Sequence, residues 1–236
     1  SFRPSNFVFG AGRVDGRKIV VGGDDFTVRG GAQDGAVGNK MGYAERMARE
    51  MLLPLVRLVD GTGGGGSVKP LERIGATYVP AIPGLETSVE LLGLVPVVGA
   101  AMGSVAGLGA MRVAASHFRV MVRGTSQVFV AGPPVVERGV HESVSKEELG
   151  GAHIHGEVSG LVDHVAVDEP NAFAAIRCFL GYLPRNVYEQ PPVFAPGANR
   201  SGAVVSFVTS SFMPRRRLSV ILPPSFCGFS AVRAPE

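Results

Sequence analysis

Two glycine-rich turns are the residues of this chain whose type and spacing could do chemistry. The first turn, residues 61–67 (GTGGGGS), follows the apolar run 53–60, and the second, residues 103–110 (GSVAGLGA), follows the apolar run 94–102. Glycine has no Cβ, so a ligand can approach the backbone of such a turn closely. Two turns brought together would direct backbone N–H groups at a developing negative charge. The sequence therefore predicts a site whose chemistry is done by the main chain.

Nucleotide-binding alternatives for the first turn are weaker. Residues 61–66 satisfy the pattern G-x-G-x-x-G after a strand, but a run of four glycines satisfies many patterns. The dinucleotide unit needs a helix packed on the third glycine and an acid at the end of the next strand. Here Val68, Lys69 and Pro70 follow the turn, and the next strand ends in Ala101 and Met102. No Gly-Lys-Ser/Thr closes the run, which disfavours a phosphate-binding loop.

Side-chain catalysis and metal binding have little support. His153 and His155 stand two residues apart, but no third ligand lies at a metal-binding spacing, so we predict no metal and a polar loop with one oriented histidine. The pairs Asp24-Asp25 and Asp163-His164 could act as acids or bases, although solvated turn residues are the simpler interpretation. The nucleophile pattern G-x-S-x-G is absent.

Composition indicates a globular chain without a polyanionic partner. The chain has 236 residues, of which 45% are hydrophobic and 18% charged, with a net charge of +3. Five arginines and one acid lie in residues 191–236, so the rest is close to neutral and nucleic-acid binding is not expected. Residues 91–111 carry no charge and reach the length of a membrane span. Because they include Pro96 and five glycines, we expect a buried strand, turn and helix instead.

The elements that must position the turns alternate between strand and helix. A hairpin is predicted with its turn at Asp15-Gly16, and residues 26–29 are expected to extend the same sheet. The remaining predicted strands are 55–59, 118–122 and 127–131, and the predicted helices are 38–52, 146–149 (capped by Ser145 and Glu148) and 169–182. This order predicts an α/β fold with buried strands.

Several longer segments resemble one family in order along the chain. They are GDDFTVRGGA (23–32), LPLVRLVDGTGGGG (53–66), VAGLGA (105–110), FRVMVRGTSQVFVAGPPVV (118–136), EELGGAHIH (147–155) and SGLVDHVA (159–166). In these segments the chain resembles the carboxyltransferase (β) subunit of biotin-dependent acyl-CoA carboxylases, the propionyl-CoA and methylcrotonyl-CoA carboxylase group. The resemblance implies a crotonase-like fold built from ββα units in a superhelix.

The resemblance also implies a mechanism that needs only backbone groups from the glycine turns. Carboxybiotin would deliver CO₂ to the α-carbon of an acyl-CoA, whose thioester oxygen must be held as the enolate forms. No side-chain base is needed if biotin itself accepts the proton. By this resemblance one oxyanion hole lies near Gly64 and Gly65, and the other uses the amides of Gly107 and Leu108. Substrate-binding positions are expected at Gly30, Gly31, Gly63, Gly103, Ala106 and Gly109.

The chain departs from the family pattern in two ways. The commoner pattern has two adjacent glycines where this chain has Gly107-Leu108, so Leu108 is expected to narrow the acyl pocket. Only the N-terminal, acyl-CoA-binding half is recognisable, in residues 1–190, and it is expected to lack its first segment. Residues 191–236 have no counterpart in the family pattern and are expected to be a poorly ordered tail of a truncated or frame-disrupted product.

The expected partners follow from the missing half. They are acyl-CoA, a biotin carboxylase or biotin carrier subunit, and either further copies of the chain or the C-terminal half of a partner. Biotin would be carried on a separate domain or subunit, in the bacterial cytoplasm or the mitochondrial matrix. Two alternatives stay open, namely a biotin-dependent acyl-CoA decarboxylase subunit and a catalytically incomplete fragment that only binds CoA thioesters.

Overall fold

A computed structural model describes residues 5–32, 40–61, 75, 85–184 and 188–190, together with the backbone of 203–205 and 220–222. Its strands are β1 (Phe7–Val14), β2 (Arg17–Asp24), β3 (Leu55–Val59), β4 (Val97–Ala101), β5 (Ser104–Ala106), β6 (Phe118–Val122), β7 (Gln127–Phe129), β8 (His164–Ala166), β9 (Ala203–Val205) and β10 (Val220–Leu222). Its helices are α1 (Lys40–Met51), α2 (Leu85–Leu94), α3 (Leu108–Ala114), α4 (Pro133–Val140), α5 (Lys146–Gly150) and α6 (Glu169–Gly181).

Six strands form the main sheet in the order β1-β2-β3-β4-β6-β8. The hairpin strands β1 and β2 are antiparallel, and every other neighbouring pair in this sheet is parallel. β5 and β7 form a separate parallel pair, and β9 and β10 form a separate antiparallel pair. Because β2, β3 and β4 run parallel to one another, their carboxyl ends lie at the same edge of the sheet. The predicted α/β fold with buried strands is confirmed.

Apolar residues alternate between the two faces of the sheet. One face, with Val98 and Phe118, packs against α6, where the rings of Phe118 and Phe179 stack with centroids 4.6 Å apart. The opposite face packs against α1 and α2 near Leu55 and Val97. Further along that opposite face, toward the carboxyl ends of the strands, α3 covers the sheet.

Most of the predicted elements are confirmed. The hairpin turns at Asp15 (φ 50°) and Gly16 (φ 77°), whose positive φ angles are those of a type I′ turn. Ser145 caps α5 by accepting from the Glu148 N–H, while the Glu148 carboxylate accepts from the Ser145 N–H. Residues 91–111 contain the end of α2, then β4, β5 and the start of α3. Among the described residues, no helix is long and apolar enough to cross a membrane.

Two local predictions are wrong. Residues 26–29 do not extend the sheet, because the chain turns there and enters a short 3-10 helix at Arg29–Gly31 with φ values of 57°, 61° and 67°. A strand needs negative φ, so this segment leaves the sheet. The segment around His153 and His155 is not a loop, since Ile154–Val158 forms a π-helical turn. The predicted change of domain at residue 190 stays a prediction.

Candidate functional site

Three turns meet at the carboxyl ends of β2, β3 and β4. The turn after β2 presents Gly30 and Gly31, and the turn after β3 presents Gly61. A Cβ placed on Gly61 would lie 2.5 Å from the Gly30 carbonyl oxygen and 2.8 Å from the Gly31 Cα. These two turns therefore touch through their backbones, which no larger residue at Gly61 would permit.

The third turn, between β4 and α3, also contacts Gly61. The Ala106 N–H donates to the Gly61 carbonyl at 3.2 Å, and a Cβ on Gly109 would lie 2.8 Å from that same oxygen. A Cβ on Gly103 would overlap the carboxylate of Asp60. The carboxyl edge of a parallel sheet is where ligands bind in open α/β folds. The three turns thus form one continuous backbone-lined surface, which we call the glycine junction (residues 30–31, 60–61 and 103–109).

The conformation of Gly107 determines which backbone N–H of the third turn lacks a partner among the described residues. Gly107 has φ 56° and ψ −119°, a conformation open to glycine alone, and its N–H donates to the carbonyls of Phe129 (3.2 Å) and Val130 (3.1 Å). That N–H is therefore already bonded. Leu108 is the first residue of α3, where an N–H has no partner within the helix. Leu108 is half-buried, and its N–H is a candidate donor to a ligand at the junction.

The junction contains most of the predicted site residues. Gly31 and Gly109 are buried where backbone segments touch, and four others are partly exposed: Gly30, Gly103, Ala106 and Gly107. Gly63, Gly64 and Gly65, predicted to line the first oxyanion hole, lie outside the described residues. The described part of the chain therefore includes the base of the first turn and Leu108 of the second predicted hole. The expectation that the Gly107 amide also serves that hole is wrong, because this N–H already donates to Phe129 and Val130.

Beneath the junction lies a buried ion pair. Both carboxylate oxygens of Asp24 accept from Arg112 Nη1 at 3.1 Å, and each side chain is 3% exposed. Asp24 also accepts from the backbone N–H of Asp60 at 3.2 Å. Burial raises the pKa of the Asp24 carboxyl, and the Arg112 cation opposes that rise. The expectation that Asp24 is a solvated turn residue is wrong, because the last residue of β2 points into the protein.

Asp60 is a second carboxylate with a disturbed environment at the junction. Partial burial raises its pKa above the usual 3.8, and the neighbouring charges of Asp24, Glu169 and Asp25 add to the rise. Its carboxylate lies against the Cα of Gly103, between the second and third turns. The junction therefore combines the candidate donor at Leu108 with one carboxylate of increased basicity.

A second buried ion pair, which the sequence alone did not reveal, lies further from the junction. Arg57 Nη2 donates to Glu45 at 2.8 Å, and Arg57 Nη1 donates to the carbonyls of Arg112 (3.2 Å) and Ala115 (2.9 Å) at the end of α3. Ser88 donates to the other Glu45 oxygen at 2.6 Å. The signal was an arginine in the apolar strand LVRLV, since a cation buried in a strand requires an anion from a neighbouring element.

The remaining candidate side chains have structural partners. The His155 ring bonds the Val128 carbonyl through Nε2 at 2.6 Å and the Ser159 hydroxyl through Nδ1 at 2.9 Å. The His153 ring also has a partner, since its Nδ1 lies 3.0 Å from the Glu157 carboxylate, so both histidines are oriented. Asp163 is not simply solvated, because it forms two bonds with the Arg119 guanidinium at 2.8 and 2.9 Å. Across the ranges that the structure describes, no group of three or more His, Cys, Asp or Glu side chains could hold a metal ion.

Comparisons with known proteins point to one family. The Carboxyl transferase domain family matches residues 5–217. The chain is 34% identical over 219 residues to the propionyl-CoA carboxylase beta chain of Saccharopolyspora erythraea, covering 92% of this chain and 38% of that protein. It is 33% identical over 192 residues to the methylmalonyl-CoA decarboxylase subunit alpha of Veillonella parvula, covering 80% of this chain and 36% of that protein.

A solved structure agrees with these relatives. Transcarboxylase 12S, determined as a hexamer assembly with methylmalonyl-coenzyme A and methylmalonic acid bound, superposes with a TM-score of 0.68 at 27% identity. The superposition covers 84% of this chain and 37% of that one. The chain therefore spans a little more than a third of the length of the proteins it matches.

Proposed function

Because the chain belongs to the carboxyl transferase domain family, we propose that it is the acyl-CoA-binding half of a biotin-dependent acyl-CoA carboxyltransferase. Its fold is the crotonase-like fold that the sequence resemblance implies. The relatives' names include propionyl-CoA and methylmalonyl-CoA, and these short acyl-CoA thioesters are the proposed substrates. The chain is part of an active site, completed by a partner.

The observation that carries this proposal is the donor at Leu108. Its N–H has no acceptor in α3 and belongs to a half-buried residue. The turn before it is bonded to its neighbours through the N–H groups of Ala106 and Gly107. Removing an α-proton from an acyl-CoA moves negative charge onto the thioester oxygen. A preorganised N–H aimed at that oxygen stabilises the enolate, and one such donor is worth about 3 kcal/mol in other enzymes.

The other parts of the proposed mechanism lie beyond the junction. Gly64 and Gly65 are proposed to form the first oxyanion hole. Biotin, on a separate domain or subunit, supplies the carboxyl group when bound, and we assign none of the described residues to hold it. The proposed protein partners are a biotin carboxylase or carrier subunit, and a further copy of the chain or a C-terminal half. The proposed location is the bacterial cytoplasm or the mitochondrial matrix.

A second candidate function is supported by the Veillonella relative, which is named as a decarboxylase subunit. Loss of CO₂ from methylmalonyl-CoA passes through the same enolate, so the Leu108 N–H would stabilise it equally. Carboxylation and decarboxylation differ in the direction of carboxyl transfer. In the first the biotin-carrying partner donates the carboxyl group to the acyl-CoA, and in the second it accepts the group. An assay of carboxyl transfer from methylmalonyl-CoA to biotin, and from carboxybiotin to propionyl-CoA, distinguishes them.

Thermal stabilisation by acyl-CoA tests the shared part of both functions. Propionyl-CoA should raise the Tm of the chain more than CoA does, because only the thioester places a carbonyl oxygen at Leu108. Leu108→Pro removes the N–H at a helix position that proline tolerates well, so the difference should disappear. Leu108→Ala keeps the N–H and should keep the difference. Equal stabilisation by propionyl-CoA and CoA in the unmutated chain would refute the proposed function.

A further inference from the structure

We propose that Asp24 is a positioning residue, whose buried carboxylate sets the spacing between the turn after β3 and the Leu108 N–H. This inference rests on the proposed function, because the spacing matters only if those turns hold a thioester oxygen. Asp24 itself is 3% exposed in its side chain and lies below the junction, so it acts through the backbone.

The contacts around Asp24 form a closed ring through the junction. Asp24 accepts from the Asp60 N–H at 3.2 Å, which fixes the start of the second turn. The next residue, Gly61, accepts from Ala106 and lies against the Cα of Gly109 in α3. One turn further along α3, Arg112 donates back to Asp24 at 3.1 Å. Every link joins a different segment, so moving Asp24 shifts both turns relative to each other.

The Arg112 guanidinium depends strongly on this one carboxylate. It is 3% exposed, and its Nε is one of two buried side-chain atoms without a hydrogen-bond partner among the described residues. The ring of Phe7 lies 5.6 Å from its guanidinium carbon, which adds a weak attraction. Removing the charge of Asp24 would leave a buried cation unpaired, a state that proteins relieve by rearrangement. Because α3 carries both Arg112 and Leu108, such a rearrangement would displace the Leu108 N–H.

Small displacements are enough to matter at such a site. A backbone donor contributes fully only when it lies 2.7–3.1 Å from the position of the oxyanion. The second buried ion pair, Glu45 with Arg57, contacts the far end of α3 at Arg112 and Ala115 rather than the turn at Asp60 and Gly61. It is matched to the Asp24 pair in burial and charge, and therefore serves as the control.

The experiment measures how strongly the chain prefers a thioester oxygen. Dissociation constants are determined for propionyl-CoA and for S-propyl-CoA, a thioether in which a methylene replaces the carbonyl. The ratio of the two constants is measured in the unmutated chain, in Asp24→Asn and in Glu45→Gln, at a temperature where circular dichroism shows each to be folded. We expect both variants to lower the Tm, but only Asp24→Asn to reduce the preference for the thioester, by about threefold or more.

A double variant keeps the test decisive if Asp24→Asn does not fold. Asp24→Asn combined with Arg112→Met removes both charges and leaves no unpaired ion, so it should be more stable than Asp24→Asn alone. It should still show the reduced preference, because the link between the turns is lost. An unchanged ratio in whichever of these variants folds overturns the role of Asp24. Equal binding of the two ligands by the unmutated chain overturns the proposed function instead.

Discussion

The Cα of Gly31 lies so close to the carbonyl oxygen of Asp60 that a Cβ at Gly31 would overlap that oxygen. Gly31 also has φ 67°, in the left-handed region. Two independent features therefore require glycine at this position, one from the local backbone and one from the neighbouring turn. The backbones of the turns after β2 and β3 approach each other closely at this point of the glycine junction.

The first prediction separates these two requirements. Gly31→Ala should destabilise the chain by about 3 kcal/mol, from the left-handed conformation and the overlap with Asp60 together. Gly124→Ala is the matched control, because Gly124 has φ 69° and no described atom lies within 4 Å of the position that a Cβ would take there. It should cost only about 1 kcal/mol. Urea denaturation measures both, and equal losses would show that the contact with Asp60 contributes nothing.

The second prediction concerns the buried pair of Glu45 and Arg57. Glu45→Gln should lower the free energy of unfolding by about 3 kcal/mol, because it leaves the Arg57 cation buried without its anion. Asp163→Asn, which weakens the pair with Arg119 where the side chains are 27% and 29% exposed, should cost less than about 1 kcal/mol. Chemical denaturation of the two variants in parallel checks the difference. A larger loss for Asp163→Asn would contradict the account.

The third prediction is a pH dependence from His117. Its Nδ1 accepts from the Val97 N–H at 3.0 Å, and its Nε2 lies 2.9 Å from the Leu92 carbonyl. Desolvation of its ring lowers the pKa of His117 below the usual 6.5. The unfolded chain therefore binds this proton more readily, so stability should fall as the pH drops below about 6.5.

Substitution at His117 should remove part of that acid sensitivity. His117→Asn keeps an acceptor for Val97 but does not titrate, so its Tm should fall less between pH 7 and pH 5. Residual sensitivity is expected from His164, whose pKa is also lowered by burial. The control is His141→Asn, because His141 is exposed and its φ of 60° is tolerated by asparagine. Equal acid sensitivity in both variants would count against His117.

The sequence predicted the elements well where local signals agree. The type I′ turn at Asp15-Gly16, the capping box at Ser145 and the amphipathic helix α1 each depend on neighbours within a few residues. It failed at Asp24 and Arg57, because their partners Arg112 and Glu45 are distant in sequence and only the fold brings them together. From the sequence alone, a charged residue that is buried in the fold cannot be distinguished from a solvated one, because its partners are not known.

The candidate site shows the same contrast between what local sequence predicts and what depends on residues distant in sequence. The resemblance implied substrate-binding positions in residues 30–31 and 103–109, and the structure places both segments around Gly61. Which amide is free was not predictable, because the Gly107 N–H is taken by Phe129 and Val130, which lie more than 20 residues further along the chain. That pairing makes Leu108, rather than Gly107, the candidate donor.

The fourth prediction concerns the Leu108 side chain. If it narrows the acyl pocket, Leu108→Ala should improve the binding of a branched thioester, 3-methylcrotonyl-CoA, about tenfold relative to propionyl-CoA. Leu94→Ala, a substitution of an exposed leucine at the end of α2, should leave the ratio unchanged. Dissociation constants from isothermal titration provide the test. The same ratio in Leu108→Ala and the unmutated chain would show that Leu108 does not limit acyl size.

The carbonyl stretching frequency of bound propionyl-CoA tests the central claim most directly, because a hydrogen bond to the thioester oxygen lowers it. Infrared difference spectra with ¹³C-labelled carbonyl should show a lowered band in the unmutated chain and in Leu108→Ala, which both have the N–H. In Leu108→Pro the band should return to a higher frequency. Identical bands in Leu108→Pro and the unmutated chain would contradict the assignment of the Leu108 N–H as the donor to the thioester oxygen.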